Sequence, residues 1–267
     1  MELTESWREV FPPEVITRYE LAETRNAAAV MKATTPEAFD DMVTVLRDFR
    51  LTLDKITTPG GSKSVIAREL DDSFRVNGWR EARFDQELTT TLTIFRWTDA
   101  KQTEKTEKRV SKNSYGGHKI DNVMGRAALD VEWNPKDGNL DRDLANYVSL
   151  HEGGVIDVGV ILTRSGTPSM REFVRDYVAQ VKAVKVSNNY PAWHKRMGKL
   201  AADPLGTSTT ANFGKLQPRI ERGDGRGCPI LAIGITEKSF VAPTDSVSAE
   251  VQRLAEKVQA GILPTEA

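Results

Sequence analysis

The chain has 267 residues, 39% apolar and 28% charged, with a formal net charge of −1; this is the composition of a soluble globular protein with enough core to fold unaided. No apolar run approaches the ~18 residues of a membrane helix, the acidic start Met1–Glu5 has no signal-peptide pattern, so a cytoplasmic protein is expected, and the lone Cys228 excludes a disulfide framework or cysteine zinc site. The near-zero charge leaves a nucleic-acid partner open, because an acidic cluster and a basic groove cancel in the sum.

Residues 1–56 carry apolar residues at helical spacing, with a break at Phe11-Pro12-Pro13 and helices expected over Glu14–Met31 and Pro36–Thr52. Thr57–Gly61 is a loop. Gly60-Gly61-Ser62-Lys63-Ser64 lacks the glycine spacing and preceding strand of a phosphate-binding loop; Ser62 or Ser64 instead caps a helix through Leu70 and Phe74 that stops near Gly78. Leu88–Trp97 is a strand. Lys101–Lys119, with six Lys or Arg residues, is expected as a loop, either solvated or ordered on a phosphate backbone. Two short strands, Lys119–Met124 and Ala127–Trp133, flank Gly125-Arg126. Leu140, Leu144, Tyr147 and Val148 mark a helix ending at Gly153-Gly154, followed by a buried strand over Val155–Thr163 and a helix over Pro168–Val184. Asn188–Leu200 is mixed, Gly206–Arg226 a long loop, Cys228–Thr236 another buried strand and Ser246–Gly261 a last helix. This order describes an α/β protein with a mixed central sheet flanked by helices. It is expected as a single domain over 1–267, with a helical part at 1–56, a core at 63–236 and a C-terminal helix at 246–261.

The chemistry concentrates around the 125–126 turn. A two-residue hairpin with glycine first pairs Met124 with Ala127, Val123 with Ala128, Asn122 with Leu129 and Asp121 with Asp130. Opposed residues share a face, and alternation puts Glu132 beside Asp130. Three carboxylates so placed repel one another. A hard divalent cation removes the conflict and lowers the pKa of a bound water that can attack phosphorus. The alternative is an ordinary exposed polar face, since Asp-x-Glu is common on half-buried strands.

The segments His118-Lys119-Ile120-Asp121 and Ala128-Leu129-Asp130-Val131-Glu132-Trp133-Asn134 resemble the active-site stretch of PD-(D/E)XK nucleases, and more narrowly the BglII and BstYI type of restriction endonuclease, with BamHI more distant. That family sets its Asp nine residues before a Glu-x-Gln or Glu-x-Glu pair, the spacing of 121 and 130 here. Further matching blocks are Asn77–Arg83, Ile156–Val160, Gly225–Gly227 and Pro229–Ile235. In one departure, Asp130 stands where the family has Glu. The resemblance implies a restriction-endonuclease-like core and a type II site-specific deoxyribonuclease of a restriction-modification system. It implies Mg²⁺ held by Asp121, Asp130 and Val131, with Mn²⁺ substituting and Ca²⁺ supporting binding without cleavage. It further implies double-stranded DNA as partner, a homodimer on a palindromic site, and no membrane association. Glu132 takes the usual lysine place, and an upstream acid, Glu69 ahead of Glu81, is the candidate for a further catalytic carboxylate.

Base-reading residues in the family lie on loops after the catalytic strand and after the next buried strand. Here these carry Asn134, Lys136 and Asn139, then Arg164, Ser165 and Ser169, types suited to major-groove contacts. Lys215 and Arg226 lie on a third loop, and Lys119 precedes the site. Asn, Pro, Asp and Gly are also ordinary turn residues. His118 suits a loop hydrogen bond, His151 and His194 are isolated, and Trp79, Trp133 and Trp193 suit core positions. A structure-specific or repair nuclease on the same core, or a DNA-binding module without catalysis, are the competing readings.

Overall fold

The computed structural model describes residues 1–58, 63–98, 100–103, 105–206 and 209–265. Pro59 to Ser62, and so the diglycine and one of the two capping serines, lie outside the described residues. In chain order the elements are α1 (Trp7–Val10), α2 (Pro13–Arg18), β1 (Tyr19–Glu23), α3 (Ala27–Thr34), α4 (Pro36–Asp48), α5 (Leu53–Thr57), α6 (Val65–Val76), β2 (Arg80–Phe95), β3 (Lys105–Met124), β4 (Ala127–Glu132) and α7 (Gly138–Glu152). Then follow β5 (Val158–Arg164), α8 (Pro168–Ala183), α9 (Pro191–Lys199), α10 (Phe213–Arg222), β6 (Ile230–Ile235) and α11 (Val247–Gln259). The strands are hydrogen-bonded in the order β1-β6-β5-β4-β3-β2. β4, β5 and β6 run parallel, with β1 antiparallel to β6 and β3 antiparallel to β4. This is the expected mixed sheet among helices.

The chain divides into two compact units, one of residues 1–81 and 120–267, the other of Ala82–Lys119. The second comprises most of β2 and the first part of β3, where Thr106 Oγ1 donates to the Ile94 carbonyl at 3.1 Å and Arg83 pairs with Asp85 at 3.0 Å. The lysine-rich segment is therefore strand from Lys105 onward, not loop; cross-strand pairing supplies order that its composition conceals.

In the first unit, the parallel strands are buried along their whole length, as near-continuous apolar runs require. Leu129, Val131, Val158, Val160, Leu162, Leu231 and Ile233 point to the face packed with α3, α4 and α6. The alternate residues, Asp130 and Glu132 among them, meet α7 on the other face. There Gly159 has no room for a side chain: a Cβ would lie 2.3 Å from Cδ2 of Tyr147. Trp79, Trp133 and Trp193 are buried. Ser64 caps α6 by accepting from Ala67 N–H at 3.0 Å, worth about 1 kcal/mol.

Two more expectations change. The helix read over Glu14–Met31 is interrupted by β1, which pairs Tyr19 to Glu23 with Ile235 to Leu231. The turn that follows puts Arg25 and Asn26 at positive φ. Here tertiary pairing overrides a local helical pattern. The long loop expected over Gly206–Arg226 contains α10, capped by Asn212, whose side chain accepts from Lys215 N–H, and buried through Phe213, Leu216 and Ile220. Pro218 sits inside that helix. His151 Nδ1 meets the Ile156 carbonyl at 3.1 Å and His194 Nε2 the Ser187 carbonyl at 3.1 Å, both in structural contacts.

Candidate active site

The hairpin has the register read from its turn: Asn122 opposes Leu129, Val123 opposes Ala128 and Met124 opposes Ala127. Gly125 has φ +56°, which suits a glycine-first turn. Beyond Asn122 the strand ladder gives way to side-chain bonds. Asp121 N–H donates to Asp130 Oδ1 at 2.9 Å, and Val131 N–H lies 3.4 Å from Asp121 Oδ2. Asp121 thus reaches between β3 and β4 and joins the patch holding Asp130 and Glu132. Val131 takes part through its backbone, its side chain being in the opposite core.

Asp130 and Glu132 are buried. Tyr147, on α7, shares its hydroxyl between Asp130 Oδ2 at 2.6 Å and the Val160 carbonyl at 2.8 Å. Burial, then the charge of Asp143, holds the Asp130 carboxyl well above the usual range. Burial and the adjoining Asp143 carboxyl, which hydrogen-bonds it, push Glu132 up to about 9. Burial and the charge of Asp71 raise Asp121, with Lys63 opposing.

Two acids that the sequence reading passed over complete the group. Asp143 on α7 is buried and pairs with Arg142, whose Nη2 lies 3.0 Å from Asp143 Oδ1 and 3.8 Å from Glu132 Oε1. Asp71 on α6 is fully buried. It accepts from Asn122 Nδ2 at 2.7 Å and pairs with Lys63, whose Nζ is also 3.9 Å from Asp121 Oδ1. Each interrupts the apolar stripe of its helix: Asp71 between Leu70 and Phe74, Asp143 between Leu140 and Tyr147. An acid on a buried helical stripe was the available signal. Glu69 is not in the group. It faces the other way on α6 and pairs with Lys55 at 2.7 Å. Glu81 lies exposed on β2. Among the described residues no three acids or histidines form a ready-made metal shell. Tyr147, Lys63 and Arg142 partner the carboxylates instead.

The loops at the C-terminal ends of β4 and β5 converge with the segment before α10. Asp137 N–H donates to Thr209 O at 2.9 Å, Ala211 N–H donates to Pro135 O at 2.8 Å, and Lys136 and Thr210 form an antiparallel bridge. Lys215 Nζ pairs with Asp137 at 3.2 Å. A Cβ on Gly166 would lie 2.7 Å from Gly214 N, so the loop after β5 touches α10 as well.

Within this cluster Lys136 and Ser169 are exposed and Asn139 half-buried. Arg164 differs from the expectation of a base-reading side chain. It is 2% exposed and donates to Asn134 Oδ1 at 2.8 Å and Thr210 Oγ1 at 2.8 Å, with longer contacts to the Leu205 and Ser165 carbonyls. Burial lowers its pKa to about 10. Its donors, and the Asn134 oxygen, are committed to the protein. Ser165 is likewise buried, bonded to Thr167 through its hydroxyl. Arg226 is separated from the cluster: it precedes β6, whose first residue pairs with Gly159 at the opposite end of the strands. There its carbonyl accepts from Arg25 at 3.0 Å. Lys119 is exposed at the end of the Ala82–Lys119 unit.

Among the described residues no helix is long and apolar enough to cross a membrane. Comparison with curated proteins gives no match. The family profile described as restriction endonuclease BglII/BglIII matches residues 19–235, a span that contains β1 through β6, every carboxylate of the group and all three converging loops. The chain therefore belongs to the BglII/BglIII restriction endonuclease family, and that membership implies sequence-specific cleavage of DNA.

Proposed function

We propose that this protein is a type II restriction endonuclease that hydrolyses phosphodiester bonds of double-stranded DNA at a palindromic site, as a Mg²⁺-dependent homodimer. The observation that carries the reading is the gathering of Asp121, Asp130, Glu132 and Asp143 on one patch of sheet and helix in a chain of this family. Carboxylates confined this closely and largely out of water are costly to ionise together. Their all-oxygen donor set suits a hard divalent cation. Asp121 and Asp130, with the backbone at Val131, would hold it, and Mn²⁺ should substitute while Ca²⁺ supports binding alone. When bound, the cation supplies charge neutralisation at the phosphate and an acidified water.

The remaining work falls to the protein. The Val131 N–H draws Asp121 into the gap between β3 and β4, and the Tyr147 hydroxyl fixes the Asp130 carboxylate. Glu132, in contact with Asp143, holds a proton at neutral pH in the metal-free protein. Lys136, Asn139, Ser169 and Lys215 supply donors and acceptors for base edges or phosphates at the strand ends, and Lys119 a phosphate contact. Asn134, Arg164 and Ser165 set the shape of that surface from beneath. A palindromic target calls for a two-fold assembly with an isologous interface.

Digestion of mixed plasmid DNA with Mg²⁺, followed by sequencing of the ends, tests this reading. Discrete fragments ending at one palindromic sequence are expected. Random ends, or no cutting in either Mg²⁺ or Mn²⁺, would reject it, and a monomer on the cognate duplex by sedimentation would reject the dimer.

A further inference from the structure

Hydrolysis of a phosphodiester builds negative charge on the non-bridging oxygens of the phosphate and on the leaving oxygen. The ionised carboxylates of the group repel that charge, so some cation of the protein or of the solvent must face it. Among the described residues, two side-chain cations touch the group, Lys63 and Arg142. Lys63 is turned toward α6, where it pairs with the fully buried Asp71, and stands 3.9 Å from Asp121. Arg142 is placed differently. Its Nε and Nη2 both bond Asp143 Oδ1, at 3.1 and 3.0 Å, and Nη2 is 3.8 Å from Glu132 Oε1. One edge of the guanidinium is thereby tethered. Nη1 makes no hydrogen bond among the described residues, and the side chain is 39% exposed. This is the reverse of Arg164, buried with its donors spent on the protein. A planar fork held on one edge and open on the other is suited to a phosphate, whose geometry matches two parallel N–H donors.

Resting on the nuclease reading above, we propose that Arg142 is a catalytic residue that grips a non-bridging oxygen of the scissile phosphate through its open edge, with Asp143 as the positioning residue that tethers it. Nothing in the sequence around Arg142 marks it, because the helix that carries it looks only amphipathic. Its relation to Glu132 exists only once α7 packs on β4.

The test uses the full-length protein and a duplex carrying the site mapped from the wild-type plasmid digest. Single-turnover cleavage in Mg²⁺ is measured with enzyme in excess, and duplex affinity in Ca²⁺. Arg142→Ala is expected to slow the cleavage step by about 10²–10³-fold, the scale of losing one charge-stabilising donor, with duplex affinity changed less than about threefold. Arg142→Lys should recover part of the rate. If Arg142 serves only to neutralise Asp143, Arg142→Lys, which keeps the charge but lacks the planar fork, will cleave within about threefold of wild type, and the proposal fails. It also fails if Arg142→Ala loses affinity and rate in equal measure, or cleaves within about threefold of wild type. A wild-type protein that does not cut at all rejects the nuclease reading itself, a result separate from any of these.

Discussion

Arg164→Ala separates a residue that reads DNA from one that holds the reading surface together. In the free protein the guanidinium makes two short bonds, 2.8 Å to Asn134 Oδ1 and 2.8 Å to Thr210 Oγ1. The contacts at 3.4 and 3.5 Å to the Leu205 and Ser165 carbonyls are at the limit of a hydrogen bond and contribute little. A bond to a charged group contributes about 1.5–3 kcal/mol, so the two short ones span about 3–6 kcal/mol. Alanine also removes the cost of burying the charge, visible in the Arg164 pKa lowered to about 10 by burial. Water entering the vacated space can solvate Asn134 and Thr210. Both effects favour the lower end, about 3 kcal/mol. That is a large part of the 5–15 kcal/mol typical of a folded domain. Urea denaturation without DNA or metal measures it. Arg164→Lys should lose a similar amount, since the ammonium lacks the fork. An Arg164→Ala protein within about 0.5 kcal/mol of wild type, the range of ordinary surface changes, but binding cognate duplex selectively worse, would refute the reasoning and restore Arg164 as a base-reading side chain.

Asp121→Asn and Asp130→Asn should each reduce cleavage by several orders of magnitude while retaining cognate duplex binding in Ca²⁺; near-wild-type cutting by either removes the site. Gly159→Ala would place a Cβ 2.3 Å from the Tyr147 ring, displacing the hydroxyl from Asp130, so a stability loss of about 1–3 kcal/mol and slowed cleavage are expected; unchanged cleavage by this variant argues against any role for the Tyr147 contact. Glu132 is raised from 4.5 to about 9 by burial and by Asp143. The metal-free folded state therefore holds a proton there that the unfolded chain releases, and stability from this group is full below about 4.5 and lost as pH rises toward 9. The thermal midpoint of the metal-free protein should accordingly fall less between pH 6 and 9 in Glu132→Gln than in wild type, and identical slopes would contradict the assignment.

Local signals carried the central hairpin. Turn residues Gly125-Arg126 and strict alternation were enough to pair Val123 with Ala128 and to bring Asp121 to Asp130. What could not be read was set by distant partners. Tyr19 to Glu23 has helical spacing and becomes strand only beside β6, more than two hundred residues on. The α10 helix was concealed by Pro218 and its flanking glycines. Asp71 and Asp143 were visible as acids on apolar stripes, but which helix packs on which strand decides that they meet Asp121 and Glu132. Arg164 at a strand end has the look of a solvent-facing cation, because its partners Leu205 and Thr210 lie far along the chain.

The bridge between Lys136 and Thr210, with its flanking bonds from Asp137 to Thr209 and from Ala211 to Pro135, bears on how target preference can be altered. Two stretches far apart in the chain share one small ladder of main-chain bonds, and Arg164 fastens them from below. They form a single cassette rather than two interchangeable parts. Grafting either stretch alone with a different length or backbone course would leave amides and carbonyls of the other without mates, at a cost comparable to any gain in base contacts. Retargeting would have to move both stretches as a matched pair on a retained arginine, which makes simple loop swapping a poor route to new specificities.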